Sequence, residues 1–273
     1  MKSSNSYSSW LFSALIIFIF FTVRAQGQKP DLKLISNQKV EAEGVVVDEL
    51  GNVFTYGKNL IEQRNTKGKV LQTNSIKGFG NITSFDVSNP LKPQVFFKNQ
   101  LQLVFLDNRL AKRGDNVALD FLGYSQISAS CASYNNGFWI YDMSNYELVR
   151  FNEQTNVTNQ TPNLLQITGK KLQADQLLET NKRLYIRDQE LGIFVFDIYG
   201  TYYKHLPLKN CKTIASYANR VFILQDEKIT VLDSENNTNS ISLPHNNYID
   251  IAVYGDYLFL LGSDQLDIYQ VKL

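Results

Sequence analysis

The sequence has few of the residues on which metal binding usually depends. Its 273 residues include only two cysteines and two histidines. Structural zinc sites take closely spaced Cys and His ligands, and His205 and His245 belong to no such spacing. The sequence also contains no Walker loop, no Gly-x-Ser-x-Gly motif and no paired cysteines. It therefore predicts no catalytic residue, no cofactor site and no metal ligand of these familiar kinds.

The sequence also lacks an apolar run long enough for a comfortable membrane span. The run from Trp10 to Val23 has 14 residues, whereas a spanning helix needs about 20. Lys2 precedes it, and Val23-Arg24-Ala25 resembles a signal-peptidase site. We predict a signal peptide over residues 1–25, export to the periplasm or beyond, and no membrane span after cleavage. An uncleaved N-terminal anchor is the alternative.

Neither sign of charge predominates. Residues 1–25 contain Lys2 and Arg24 and no acid, so residues 26–273 keep 25 basic and 26 acidic side chains. Nucleic acids and anionic lipids select clustered Lys and Arg. This balance therefore predicts neither as a partner.

A repeated pattern of short strands is the strongest signal in the sequence. Six strand-like runs recur at steps of 37 to 46 residues, with other alternating runs before and after them. They are NVFTYG at 52–57, QVFFKN at 94–99, GFWIYD at 137–142, RLYIRD at 183–188, RVFILQ at 220–225 and YLFLLG at 257–262. Gly, Asn, Asp or Pro residues separate the runs, as turns between strands require. Six copies at this spacing predict an all-β, six-bladed β-propeller of four-stranded antiparallel blades over residues 26–273.

The fourth strands are less regular. The candidates are KVLQTNS, NVALDFL, NLLQITG, YYKHLPL and NSISLPH. The sixth repeat has none before the chain ends, whereas DLKLIS at 31–36 belongs to no repeat. We therefore predict that this N-terminal strand completes the last blade and closes the ring. A β-sandwich, the alternative, would not require a spare strand.

The propeller scheme assigns places to the cysteines and to an unusual turn. Cys131 and Cys211 fall in non-adjacent blades, so we expect buried free thiols rather than a disulfide. In blade two the turn SNPLKP contains two prolines where other blades have short turns. We predict that its residues Asn89, Pro90, Leu91 and Lys92 form a stiff, rim-exposed contact with a partner.

Two further hypotheses concern the inner strands. Asp86, Asp175, Glu179 and Asp250 are placed to face the channel, as the metal-binding acids of lactonase-like propellers do. This gives a metal-dependent hydrolase as an alternative function. Binding of a glycan or small ligand by Trp139 and Tyr141 is another, with core packing as the competing interpretation.

Polar segments supply two minor candidates. Four Asn-x-Ser/Thr sequons, at Asn81, Asn156, Asn159 and Asn236, are potential glycan acceptors, although an Asn-rich chain also produces such triplets by chance. The run Asn152 to Asn163 is predicted to be an exposed loop.

Several motifs carry a resemblance to a known group of proteins. The Val-Arg-Ala ending before Gln26, the segments GNITSFDVSNPLKP and LQLVFLDNRL, and NNGFWIYD at 135–142 are similar to those of exported propeller proteins from Bacteroidota. That resemblance implies a role in envelope machinery, on the periplasmic side of the type IX secretion translocon, and supplies no catalytic residues. Together with the broad faces of a propeller, it favours a non-enzymatic scaffold that binds a protein partner in the cell envelope.

Overall fold

The computed structural model of the protein describes residues 32–235, 237–245 and 247–271. In these residues 24 strands form six antiparallel sheets of four strands each. The innermost strand of every sheet lies beside the innermost strands of the two neighbouring sheets, so the six sheets form a ring. The predicted six-bladed propeller is confirmed. The predicted signal peptide over residues 1–25 lies outside the described residues.

Blades one to three follow one another along the chain, each running from the inner to the outer strand. Blade one contains β2 (Gly44–Val47), β3 (Val53–Gly57), β4 (Leu60–Arg64) and β5 (Val70–Ser75). Blade two contains β6 (Ser84–Asp86), β7 (Gln94–Phe97), β8 (Gln102–Phe105) and β9 (Val117–Ala118). Blade three contains β10 (Ile127–Ser133), β11 (Gly137–Asp142), β12 (Glu147–Phe151) and β13 (Val157–Gln160).

Blades four to six continue this order, except that the last takes its outer strand from the start of the chain. Blade four contains β14 (Ala174–Thr180), β15 (Arg183–Asp188), β16 (Gly192–Asp197) and β17 (Tyr202–Leu206). Blade five contains β18 (Thr213–Tyr217), β19 (Arg220–Leu224), β20 (Lys228–Leu232) and β21 (Thr238–Ser242). Blade six contains β22 (Asp250–Tyr254), β23 (Tyr257–Leu261), β24 (Gln265–Gln270) and β1 (Lys33–Lys39).

The N-terminal strand closes the ring as predicted. β1 pairs antiparallel with β24, in a register that runs from Lys33 opposite Gln270 to Lys39 opposite Gln265. A short connection then leads from β1 to the inner strand of blade one. The pairing therefore links the two ends of the described chain and covers the outer edge of β24.

The turn after the third strand repeats in blades one to five. It begins with an Asn or Asp whose Oδ1 accepts the backbone N–H groups two and four residues further on. These residues are Asn65, Asp107, Asn152, Asp197 and Asp233. Because the short side chain replaces a backbone acceptor, it turns the chain tightly before the outer strand.

The apolar core lies between neighbouring blades rather than at one centre. In the described residues, six clusters of buried side chains each join two adjacent blades. Blades one and two share a cluster that includes Phe54 and Phe85, whose rings meet edge to face at 5.6 Å. Every blade thus depends on its two neighbours for burial of its faces, which is why the ring must close.

Two sequence predictions for blade three are wrong. The segment NLLQITG was predicted as its outer strand, but α1 (Leu164–Thr168) occupies it. Asn163 caps this helix by accepting the N–H of Gln166, and Gly169 ends it in the left-handed conformation with φ of 68°. The outer strand is β13, inside the segment 152–163 that was predicted to be a loop.

In residues 32–235, 237–245 and 247–271, helical structure is limited to short connections. Besides α1 there is a 3-10 helix over Lys98–Gln100 in the turn between β7 and β8. In the described part of the chain, no helix has the length and apolar character needed to cross a membrane.

Candidate functional site: the central channel and the blade-two turn

The channel at the centre of the ring is polar and predominantly acidic. It has a volume of about 770 Å³ and is lined by residues of all six inner strands. Its wall carries more carboxylates than basic groups, namely Glu43, Asp48, Glu49, Asp86, Asp175, Glu179 and Asp250 against Arg187 and Lys212. The four acids predicted to face the channel therefore all do so.

Three of these four carboxylates bind the neighbouring blade. Asp86 in blade two accepts the N–H of Ala132 in blade three at 2.8 Å, through Oδ2. Asp250 in blade six accepts the N–H of Val45 in blade one at 2.8 Å. Each bond joins one inner strand to the next, so these carboxylates stabilise the junctions between blades.

Of these three carboxylates, Glu179 accepts the most hydrogen bonds from the neighbouring blade. It lies on the inner strand of blade four and accepts three hydrogen bonds from blade three. The donors are the Ser133 hydroxyl at 2.6 Å, the Tyr134 N–H at 3.0 Å and the Trp139 indole N–H at 2.7 Å. Both oxygens are thereby engaged, which makes Glu179 a structural residue that the sequence pattern did not identify.

Asp175 is held by an ion pair. Its Oδ2 lies 2.7 Å from Nη2 of Arg187, on the next strand of the same blade. Arg187 also donates to the backbone oxygens of Cys211 and Lys212 at the entry to blade five. The Asp175–Arg187 pair therefore links blade four to the segment that leads into blade five.

These contacts bear on the metal-dependent hydrolase hypothesis, because they engage all four acids with other groups of the protein. The four acids are spread over blades two, four and six, and each has different hydrogen-bond or ion-pair partners. In residues 32–235, 237–245 and 247–271, no three His, Cys, Asp or Glu side chains come together as metal ligands would. Asp86, Glu179 and Asp250 take part in the assembly of the ring, and Asp175 pairs with Arg187.

Asp250 makes the stability of the ring depend on pH. Burial raises its pKa to about 6, and hydrogen bonds from Val45, Ile251 and Thr213 only partly oppose this effect. An unfolded Asp titrates near pH 3.9, so the folded form binds a proton more tightly between about pH 4 and 6. The contribution of Asp250 to stability is therefore fully present below about pH 4 and is lost as the pH rises through about 6.

We expect wild type to lose stability relative to Asp250→Asn between pH 4.5 and pH 7, by about 1 kcal/mol. The size is modest because Asp250 keeps intermediate exposure at the channel wall, where water screens the charge. Burial also raises the pKa of Asp175, but that carboxylate is common to both proteins and cancels in the comparison. Urea unfolding at the two pH values measures the difference, and a difference independent of pH would refute this assignment.

Hydrogen bonds within the blade-two turn and between the turn and blade three stabilise its conformation. Oδ1 of Asn89 accepts the N–H of Leu91 at 3.1 Å, and its backbone oxygen accepts the N–H of Lys92 at 3.0 Å. Its Nδ2 donates to Oδ1 of Asn136 in blade three at 3.0 Å. Pro90 restricts the backbone between these bonds. These bonds and the proline ring restrict the backbone of the turn, and its role as a stiff partner contact stays a prediction.

The prediction that the whole turn is exposed is wrong for Lys92. Only 9% of this residue is exposed. Its ammonium donates to the backbone oxygen of Asn136 and to Oε1 of Glu153, both at 3.1 Å, and lies 4.5 Å from the centre of the Phe105 ring. The long side chain folds beneath the turn because blade three supplies an acid and a carbonyl there, and no local pattern shows this.

Leu91 is the residue that the turn presents to solvent. It is 66% exposed, and its backbone oxygen accepts a hydrogen bond from Nη1 of Arg113 at 2.8 Å. A rigid base thus carries an exposed apolar side chain. The predicted partner contact remains a prediction, and among its four residues Leu91 is the best placed to make it.

The aromatic residues considered for ligand binding belong to the core. Trp139 and Tyr141 have 0% exposure, and both pack in the cluster between blades three and four. The Tyr141 hydroxyl donates to the backbone oxygen of Leu172 at 3.0 Å. The glycan-binding hypothesis therefore loses the two residues on which it was based.

The histidines lie in separate parts of blades four to six. His205 stacks on Phe194 with ring centres 4.2 Å apart, and its Nε2 lies 2.6 Å from the backbone oxygen of Leu191. The ring of His245 lies 6.3 Å from that of Tyr248. His205 thus makes a ring stack and a hydrogen bond, whereas His245 is exposed.

The cysteines are buried and unpaired, as expected. Burial raises the pKa of Cys131 well above its usual value and that of Cys211 to about 12. Both thiols are thereby kept in the unreactive protonated form.

The sequons differ in accessibility. Asn81 and Asn156 are exposed, whereas Asn159 is half-buried in β13. Asn236 lies outside the described residues. Glycosylation stays a prediction.

Comparisons with known proteins identify the fold and no family. No model of a known protein family matches the chain. No curated protein matches it either. Solved structures do match it, at sequence identities too low to indicate more than a shared fold.

Three of these structures illustrate the range of functions. The WD40 domain of Pan2 from Neurospora crassa has a TM-score of 0.62 at 8% identity, over 90% of this chain and 97% of that one. Virginiamycin B lyase from Staphylococcus aureus has a TM-score of 0.61 at 14% identity, over 89% and 100%. PorZ, a surface component of the type IX secretion system of Porphyromonas gingivalis, has a TM-score of 0.53 at 9% identity, over 89% of this chain and 39% of that one.

Proposed function

We propose that this chain is an exported, non-enzymatic scaffold propeller that binds a protein partner in the cell envelope. In this proposal it acts as an accessory component of a protein-secretion machine of the type IX kind. The observation that carries the proposal is the braced turn of blade two, which presents Leu91 on a rigid face. The likeness to part of PorZ, itself a component of such a system, supports this choice of machine as an analogy of fold.

Rigidity favours recognition by this turn. An exposed apolar side chain contributes most to binding when its backbone loses little freedom in the complex. Leu91 meets this condition because Asn89, Pro90 and Arg113 fix the backbone around it. Three of the channel acids, Asp86, Glu179 and Asp250, are in contrast engaged in hydrogen bonds between blades, which favours the exposed faces of the ring as the surface for a partner.

Photo-crosslinking in the native host tests this function. A photoreactive amino acid at position 91 is expected to trap one specific envelope protein. The matched position is Leu50, which is 70% exposed in the corresponding turn of blade one. Equal trapping of the same protein from both positions, or none from either, would count against the blade-two contact.

Substitution gives the second part of that test. We expect Leu91→Asp to abolish co-purification of the trapped partner and Leu50→Asp to preserve it. Both should leave the free energy of unfolding within about 0.5 kcal/mol of wild type, because both side chains are exposed. A Leu91→Asp protein that retains its partner would overturn the assignment.

Substitution of Lys92 tests the buried part of the blade-two turn separately from the exposed Leu91. We expect Lys92→Ala to lower the free energy of unfolding by about 2 kcal/mol, because it removes a partly buried ion pair, a cation–π contact and buried methylenes. Lys92→Met keeps the aliphatic stem and should recover part of that loss. Urea unfolding measures both, and an unchanged Lys92→Ala protein would contradict the buried geometry.

A further inference from the structure

The strand that closes the ring is held differently from the other strands of its blade. None of the seven residues of β1 is buried, and its apolar residues Leu34 and Ile35 remain 51% and 42% exposed. On the adjacent β24, Leu266 and Ile268 have 0% exposure. Backbone hydrogen bonds and polar contacts, rather than burial of apolar side chains, therefore hold β1 in place.

A fixed point follows directly after this strand. Val40 is 3% exposed, packs in the cluster shared by blades six and one, and donates its N–H to the backbone oxygen of Asp264 at 3.0 Å. At the other end, Leu32 is half-buried and packs against the cluster of blades five and six. β1 itself contains no buried residue, and the connection of residues 40–43 between it and β2 is the hinge that an exchange would use.

The edge of β24 that pairs with β1 also has contacts that do not involve β1. Asp267 on β24 is 3% exposed and accepts the Tyr248 hydroxyl at 2.7 Å and Nε2 of Gln265 at 2.9 Å. Asn37 of β1 adds a further hydrogen bond to Oδ1 of the same carboxylate. An arriving strand therefore meets an ordered edge and a carboxylate placed to accept an amide donor.

We propose that blade six is an acceptor site for the β1 strand of a second copy of this chain. Two copies exchange their N-terminal strands, each of which pairs with β24 of the other in the register seen here. The occupant is a second copy because its β1 segment fits the edge in sequence, length and register. Exchange of identical elements makes the same contacts twice and needs only the hinge before β2 to reorient.

Two variants, each with one introduced cysteine, test the exchange. Lys33→Cys and Gln270→Cys lie opposite each other in the register of β1 and β24, and both residues are exposed. The two full-length variants are purified reduced, mixed at high concentration, incubated and then oxidised. The native thiols of Cys131 and Cys211 are buried and do not compete.

Exchange predicts a covalent heterodimer in which a disulfide joins position 33 of one copy to position 270 of the other, identified by peptide mass spectrometry. Pairing of β1 with β24 holds the two thiols at high effective concentration. The yield of this heterodimer should therefore exceed that of a control mixture by about tenfold. The control pairs Lys33→Cys with Ser240→Cys, on the exposed outer strand of blade five. A yield equal to the control overturns the proposal, provided the Lys33→Cys/Gln270→Cys double variant forms its internal disulfide and so shows that the register is correct.

Discussion

Replacement of Trp139 by alanine is expected to lower the free energy of unfolding by about 4 kcal/mol, as for other large-to-small substitutions of a fully buried aromatic. The indole has 0% exposure and fills the cluster between blades three and four. Its N–H also binds Glu179 at 2.7 Å, so the substitution removes a donor from a carboxylate that joins the two blades. Urea unfolding followed by circular dichroism measures the loss.

Trp139→Phe is the matched control for this prediction. It keeps an aromatic ring in the cluster but removes the N–H, so we expect a loss of about 1–2 kcal/mol, smaller than that of the alanine variant. A Trp139→Ala protein as stable as wild type would mean that the indole is not a core residue, and would revive its role as a ligand-binding aromatic.

Removal of residues 26–36 is expected to lower the Tm by about 10 °C, because several kcal/mol of backbone pairing are lost from a ring of this size. The deletion removes Lys33 to Ser36 of β1 and uncovers the outer edge of β24. Calorimetry of the truncated chain measures the shift. An unchanged Tm would argue against closure of the ring by this strand.

The control for the truncation is a substitution within the strand. Leu34 is 51% exposed, so Leu34→Lys should leave the Tm almost unchanged although it removes the most exposed apolar side chain of β1. A large effect of Leu34→Lys would show that apolar burial holds the strand, contrary to the contacts described here. The comparison therefore separates loss of the ladder from loss of a side chain.

Inner and outer strands differ in how clearly the sequence predicts them. Inner and middle strands such as β11 pack against neighbouring blades, so their apolar content is visible in the sequence. The outer strand β13 is exposed or half-buried throughout, and a strand without a buried face carries little apolar pattern. The apolar run that follows it, Leu164–Thr168, was mistaken for the strand although Asn163 and Gly169 are typical helix caps.

The same contrast applies to the candidate site. Two prolines and an Asn mark the turn in the sequence, because the restricted backbone of proline and the turn-forming bonds of Asn are local properties. The burial of Lys92 depends on Glu153, which is 61 residues away in sequence. No local pattern can show such a contact.

The sequence by itself determined the repeat, the number of blades and the closure of the ring, because these follow from the spacing of strands and from one spare segment at the N-terminus. Only the tertiary structure decided what the channel acids do. The hydrogen-bond partner of Asp86 lies 46 residues away and that of Asp250 lies 205 residues away. A carboxylate that binds a backbone N–H of the next blade and one that faces an open channel look alike in the sequence, and they differ only in what the folded ring brings beside them.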